Sequence, residues 1–317
     1  MTDQLITNDE KMIQAPYLLQ TEDLSNNDVD MIFSKAKFFL DNYKTGVKFD
    51  DLKGITVALT FFEPSTRTKL SFELAAKRLS ADVFSFQTSS SSLKKGESLL
   101  DTLRTIEAMG VQMYVVRHGC SGVPQFLQQN TDAIIINAGD GKHEHPTQAL
   151  LDSFTIKRYF GKVEGLKICI VGDILHSRVA RSNIILLKKL GAELSVCGPG
   201  TLLPKTIRNW GVSYIEDIND AVDWSDALLL LRLQRERMES GLLPSLREYS
   251  NYYGVSFEHF SRRPELVLLH PGPVNYGVEL DYKTSSFPNV LIQTQVTHGV
   301  FIRMALLSLL SKKVIRN

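Results

Sequence analysis

The sequence predicts an α/β fold of two domains, each built on a mainly parallel β-sheet flanked by helices. Three observations carry that prediction. At 317 residues the chain is long enough for two domains. Short β-branched or apolar runs alternate with longer segments of helical spacing, the order produced by parallel sheets covered by helices. Several of those runs are apolar throughout instead of alternating, as strands buried on both faces should be.

In chain order, GITVALTFF gives a strand over residues 55–62. From Lys69 to Leu79 the residues Phe72, Ala75, Ala76 and Leu79 recur at helical spacing. SSSSLKKGES follows as a serine- and lysine-rich loop, and VQMYVVR and DAIIINAG are the next strands. HPTQALLDSFTIKRYF reads as one helix joining the two halves, with a boundary near residue 155. LKICIVGD opens a fresh βα unit whose helix carries Ile184, Leu187 and Leu190. AELSVCG, DALLLLR and ELVLLHPGP complete the strand set, and NYYGVSFEHFSRRPE reads as a surface excursion. THGVFIRMALLSLL is an apolar helix with no strand after it. The expected division is therefore 1–154 and 155–296, followed by a terminal helix at 297–317. There is no internal repeat.

Composition narrows the function. The hydrophobic fraction of 43% and charged fraction of 22% are ordinary for a globular protein. A net charge of +1 gives no bulk attraction to nucleic acid or membrane, so any anion must be held by a few concentrated cations. Cys120, Cys169 and Cys197 have no metal-ligand spacing and read as reduced thiols. The polar start MTDQLITNDEKM has no signal-peptide core, and no run reaches membrane-spanning length, so a cytoplasmic protein is expected.

The residues between the first strand and its helix are Ser65, Thr66, Arg67 and Thr68. Three hydroxyls and a guanidinium at a helix N-terminus suit phosphate, because unpaired N–H groups and the helix dipole already favour an anion there. Simple N-capping by Ser65 or Thr66 is the plainer alternative. Other polar residues also fall at strand ends: Arg117, Asn137 with Asp140, Arg178, Arg232, and His270 with Gly272 and Pro273. Ligands of open parallel sheets bind beyond the carboxyl ends of the strands. One such residue is commonplace, whereas the set points to a cleft between two domains. Arg181 competes with Arg178 for this role, and Arg235 and Arg237 compete with Arg232; strand-end position favours Arg178 and Arg232. His143 and His145 suggest a metal pair, but no third ligand accompanies them, so no metal is assigned.

STRT at 65–68, RH at 117–118, HPTQ at 145–148 and HPGP at 270–273 resemble the carbamoyltransferases. SSLKKGES and LRLQRER make the chain similar to the catalytic chains of the aspartate carbamoyltransferases within that superfamily, over roughly residues 15 to 310. The resemblance implies two Rossmann-like domains joined by interdomain helices, with the C-terminal helix at 297–317 returning to the first domain, and a homotrimer with shared active sites. It implies transfer of the carbamoyl group of carbamoyl phosphate to L-aspartate, in de novo pyrimidine biosynthesis, without a cofactor. Carried over residue by residue, it places phosphate on Ser65, Thr66, Arg67, Thr68 and Arg117. The carbamoyl oxygen falls to Thr68, Arg117 and His145, and the carbamoyl NH2 to Gln148 and to carbonyls around Gly272 and Pro273. Aspartate falls to Arg178 and Arg232 with Gln234 nearby, while Ser91 and Lys95 reach in from the adjacent subunit. Lys69 and Tyr276 depart from the pattern, each standing where arginine is common.

Three rivals remain. An ornithine carbamoyltransferase needs an acidic partner for a second ammonium, and its relatives usually carry HCLP where this chain has HPGP. A dinucleotide-dependent dehydrogenase fits VGDILHSR poorly, since only Gly172 stands where G-x-G-x-x-G is required. A non-catalytic phosphate-binding or regulatory module would keep STRT but would not need cations from the second half. A regulatory chain or pathway-enzyme partner leaves no readable mark.

Overall fold

The computed structural model describes residues 13–87, 98–233 and 245–314. In the first half, helix α1 (Asn26–Asn42) precedes β1 (Thr56–Phe61), α2 (Thr66–Arg78), β2 (Asp82–Gln87), α3 (Leu99–Glu107), β3 (Met113–His118), α4 (Val123–Gln128) and β4 (Ile134–Asp140). Helix α5 (Pro146–Phe160) leads into the second half, which contains β5 (Lys167–Val171), α6 (Arg178–Lys189), β6 (Glu193–Cys197), β7 (Ser213–Ile215), α7 (Ile218–Trp224), β8 (Ala227–Leu230), α8 (Leu246–Tyr253), α9 (Phe257–Arg262) and β9 (Val267–Leu269). Helix α10 (Ile292–Ser311) ends the described chain. Among the described residues no helix is long and apolar enough to cross a membrane.

Two all-parallel sheets result, ordered β2-β1-β3-β4 and β7-β6-β5-β8-β9. Alternate residues of each strand enter different cores. Val57, Leu59 and Val115 face one apolar cluster, and Ala58, Tyr114 and Val116 the other. Ile168, Ile170 and Leu229 are likewise separated from Cys169, Val171 and Leu228. Burial on both faces explains why these strands read as continuous apolar runs.

Two strands escape that pattern. DVFSFQ and SYI form β2 and β7, which the apolar-run reading did not include. Each is an edge strand, and an edge strand half in solvent needs no unbroken apolar run. NYYGVSFEHFSRRPE is not a surface excursion. It holds the end of α8 and all of α9, and Val255 and Phe260 are buried in the second domain's core. Helix α10 starts at Ile292, five residues before the expected Thr297, and packs against α1, α2 and α5. It is buried around nearly its whole circumference from His298 to Ser311, so it lacks the one-sided stripe of a surface helix.

In each sheet the connections switch direction beside the first strand. β1 has β2 on one side and β3 on the other; β5 has β6 on one side and β8 on the other. Such a switch point leaves a crevice at the strand ends where ligands bind.

Candidate active site

The switch point of the first sheet presents the N-terminus of α2 and the end of β3. Ser65 is the N-cap of α2, yet its side chain makes no capping bond, and the first turn holds no acidic residue. The plain capping reading therefore does not account for the hydroxyl. The unpaired N–H groups of that turn remain available for an anion. Arg117 follows from register, since it pairs with Phe61 at the very end of β1. Its Nη1 donates to the Ala138 carbonyl at 3.3 Å, which holds the guanidinium across the crevice.

The switch point of the second sheet presents Arg178, the first residue of α6, and Arg232, just past β8. Ser177 caps α6 by accepting from the Ala180 N–H at 3.1 Å, so the helix start and Arg178 are fixed together. Arg178 is 4% exposed. One cavity of about 300 Å³ lies between the two switch points. It is lined by Ser65, Thr66, Arg67, Thr68, Arg117, His145, Gln148, Arg178, Arg232, Gly272 and Pro273. Ser91, Lys95 and Gln234 lie outside the described residues.

His145 stands at the N-cap of α5, where Pro146 begins the helix. Its backbone N–H donates to Ser182 Oγ at 2.8 Å, and that hydroxyl donates to Glu144 at 2.9 Å. Burial, with Arg117, Arg178 and Arg303 nearby, drives the imidazole well below its ordinary value, so it is neutral at pH 7. A neutral imidazole beside these arginines can donate one hydrogen bond without adding charge. His143 does something else: its Nδ1 lies 3.1 Å from Asp140, and that bond raises its pKa. Asn137 and Asp140 are structural. Asn137 donates to the Leu19 carbonyl and to Asp140, and Asp140 accepts from Gly122 and Glu144.

Two residues that shape the cavity carried no assignment from sequence. Glu63 accepts from Arg178 Nη2 at 2.9 Å and lies 3.6 Å from Arg117 Nε, so one carboxylate spans cations of both domains. Gly139 has a φ of +115°, and a Cβ there would stand 3.0 Å from Arg178 Cζ and Nε and 3.2 Å from Arg117 Nη1. The two guanidinium groups occupy the space a side chain would need. A loop glutamate reads as solvated and a strand-end glycine as a turn, which is why neither signalled a role.

Arrangement and charge suit two small anions: an oxyanion at the α2 N-terminus with Arg67 and Arg117, and carboxylates opposite, near Arg178 and Arg232. Comparison with known proteins gives the family. Residues 17–158 match the family described as aspartate/ornithine carbamoyltransferase, carbamoyl-P binding domain, and residues 164–310 match its Asp/Orn binding domain. The chain is 50% identical over 303 residues to the aspartate carbamoyltransferase catalytic subunit of Carboxydothermus hydrogenoformans, covering 95% of this chain and 97% of that one. It superposes with a TM-score of 0.84 on the catalytic subunit of M. jannaschii aspartate transcarbamoylase, at 32% identity over 96% of this chain and 100% of the other. Against Trypanosoma cruzi aspartate transcarbamoylase in complex with carbamoyl phosphate and aspartate the TM-score is again 0.84, at 29% identity over 92% and 95%. With both halves of the family's sequence pattern present in order, the chain belongs to the aspartate/ornithine carbamoyltransferase family.

Proposed function

We propose that the chain transfers the carbamoyl group of carbamoyl phosphate to the amine of L-aspartate, giving N-carbamoyl-L-aspartate and phosphate for de novo pyrimidine biosynthesis. The observation that carries this reading is the convergence of Arg67 and Arg117 from one domain with Arg178 and Arg232 from the other on a single cavity. Both substrates are anions. Each close pair of like charges costs about 4 kcal/mol at an effective dielectric near 20, and guanidinium groups offset that repulsion. Residues 1–154, with the returning helix, form the carbamoyl-phosphate domain, and residues 155–296 the aspartate domain.

Phosphate sits at Ser65, Thr66, Arg67 and Thr68 with Arg117. The carbamoyl oxygen, which gains negative charge as the amine attacks, accepts from Thr68, Arg117 and neutral His145. Losing one such donor costs about 10²- to 10³-fold in rate. Gln148 and the Gly272–Pro273 carbonyls receive the carbamoyl NH2. Arg178 and Arg232, with Gln234, hold the two carboxylates of aspartate as planar forks. The substrate amine is the nucleophile, so no side chain needs to be one. Its proton passes to the departing phosphate. Alignment of two bound reactants supplies much of the remaining acceleration.

The active unit is a homotrimer in the cytoplasm, in which Ser91 and Lys95 of one subunit complete the site of the next. Similarity to proteins named catalytic subunits supports an oligomer. Mixing inactive Arg67→Ala and Lys95→Ala subunits should restore part of the activity; no recovery in verified mixed trimers would refute shared sites. The decisive assay for the reaction compares ureido product from aspartate and from ornithine side by side. Product from aspartate alone is expected. Product from ornithine alone would move the chain to the rival activity.

A further inference from the structure

Below the cavity floor, Asp152 is fully buried on α5. It accepts from three amide groups: Gln148 Nε2 at 2.9 Å and Gln295 Nε2 at 2.7 Å on Oδ1, and Asn183 Nδ2 at 2.9 Å on Oδ2. An ionised carboxylate has no proton to give, so each amide must turn its NH2 toward it. Gln148, one helical turn before Asp152, lines the cavity. With its amide nitrogen turned toward Asp152, the group left to accept a hydrogen bond is the carbonyl oxygen.

The same carboxylate reaches the turn His270–Pro273. Gln295, whose NH2 is held by Asp152, accepts the His270 backbone N–H on Oε1 at 2.9 Å. His270 Nδ1 accepts the Gly272 N–H at 2.8 Å. Pro271 and Pro273 have no N–H at all. Every backbone donor of the turn is therefore either absent or already used. The part of the turn that lines the cavity, Pro271 to Pro273, offers backbone carbonyls only. Opposite the α2 N-terminus and Arg67, which only donate, stand the carbonyls of Pro271 to Pro273 and the Gln148 carbonyl oxygen, which accept.

We propose that Asp152 is a positioning residue that holds Gln148 with its carbonyl oxygen free to accept and, through Gln295, holds the His270–Pro273 turn whose carbonyls accept beside it, so that the site favours an acyl phosphate whose acyl carbon bears an NH2 group. The inference rests on the carbamoyl-transfer reading and adds a selection rule to it. A substrate with a methyl group in that position, such as acetyl phosphate, leaves the acceptors unpaired in a desolvated place, and a site built around hydrogen bonds rejects such analogues strongly.

The test compares the KM of carbamoyl phosphate with the inhibition constant of acetyl phosphate. Both are measured with aspartate as acceptor, in the unmodified protein and in Asp152→Ala, Gln148→Ala and the double variant. Asp152→Ala should raise the carbamoyl-phosphate KM about tenfold or more, the value of one or two neutral hydrogen bonds. The acetyl-phosphate constant should stay within about threefold, because the methyl group made no such bonds. In the Gln148→Ala background, Asp152→Ala should change the ratio of the two constants far less than it does alone, since most of its effect passes through that amide. Asp152→Val, which keeps part of the volume and has no polar atom, decides the matter if the alanine variant does not fold. It takes the acceptor away from Gln148 and Gln295 and should lower the discrimination as well. Equal changes in both constants, or full additivity with Gln148→Ala, would overturn the proposal. Absence of N-carbamoylaspartate formation by the unmodified protein would instead overturn the carbamoyl-transfer reading beneath it.

Discussion

Glu63 and Arg178 meet at 2.9 Å across the cleft, the carboxylate rising from the first domain and the guanidinium from the second. Arg178 is nearly buried, so it is a cation that water cannot fully serve. Glu63→Ala should leave Arg178 without that partner and loosen its aim. The expected result is a rise of about tenfold, or ~1.4 kcal/mol, in the KM for aspartate, with the KM for carbamoyl phosphate little changed. Equal effects on both constants would show that Glu63 acts on the phosphate side through Arg117 instead.

Arg232 lines the same cavity from the end of β8. If it binds a carboxylate of aspartate, Arg232→Ala should raise the aspartate KM far more than that of carbamoyl phosphate, by about 10²-fold, which corresponds to one lost charge-assisted bond of ~2–3 kcal/mol. Steady-state kinetics with each substrate varied in turn separates the outcomes. A uniform loss would assign Arg232 to the architecture of the cleft.

Gly139 is needed for space as well as backbone. Gly139→Ala places a methyl group against Arg178 and Arg117 and keeps a left-handed backbone that alanine resists, at about 1–2 kcal/mol. Activity should fall at least about tenfold while the folded protein survives, read from parallel rate and thermal-melt measurements. An active Gly139→Ala protein would mean that the two guanidinium groups have slack their packing does not suggest.

Acid should weaken the fold through buried histidines. Burial, aided by Arg67 and Arg232, lowers His270 to about 3; burial, aided by Arg158, lowers His298 to about 4; and His145 lies well below its ordinary value. Each takes up a proton on unfolding below pH about 6.5, so the unfolded state binds more protons and stability falls as the medium is acidified. At pH 5 that is roughly 2 kcal/mol each for His270 and His298. Asp152 has the opposite sign. Burial raises it to about 6, so its contribution is present in acid and lost as pH rises through that value. Acidification from pH 7 to 5 therefore regains only about 1.4 kcal/mol there. The histidines win, and Tm should drop by at least about 5 °C over that interval by calorimetry. A flat or rising Tm would mean these rings are solvated.

How much of this was legible in the sequence follows from where each residue's partners lie. Arg117, Arg178 and Arg232 could be placed because each closely follows an apolar run, and a strand buried on both faces announces its own end. Ser65 to Thr68 could be placed because strand and helix periodicity meet there. β2 and β7 could not, because an edge strand needs no unbroken apolar run. Asp152 was the least visible. It sits mid-helix, and two of its partners, Asn183 and Gln295, lie 31 and 143 positions away, so nothing near it in the chain marks it as the centre of a network.

The burial of α10 among α1, α2 and α5 has a consequence for synthesis. The first domain's core includes Phe301, Met304 and Leu307, which are translated after the entire second domain. At about 5–20 residues per second, a nascent chain waits many seconds between finishing α5 and receiving that helix. During this interval the surface that α10 will cover stays open on a ribosome-bound intermediate. The nascent chain is then open to chaperones and proteases, and a truncation that removes α10 strikes the domain translated before the one it follows.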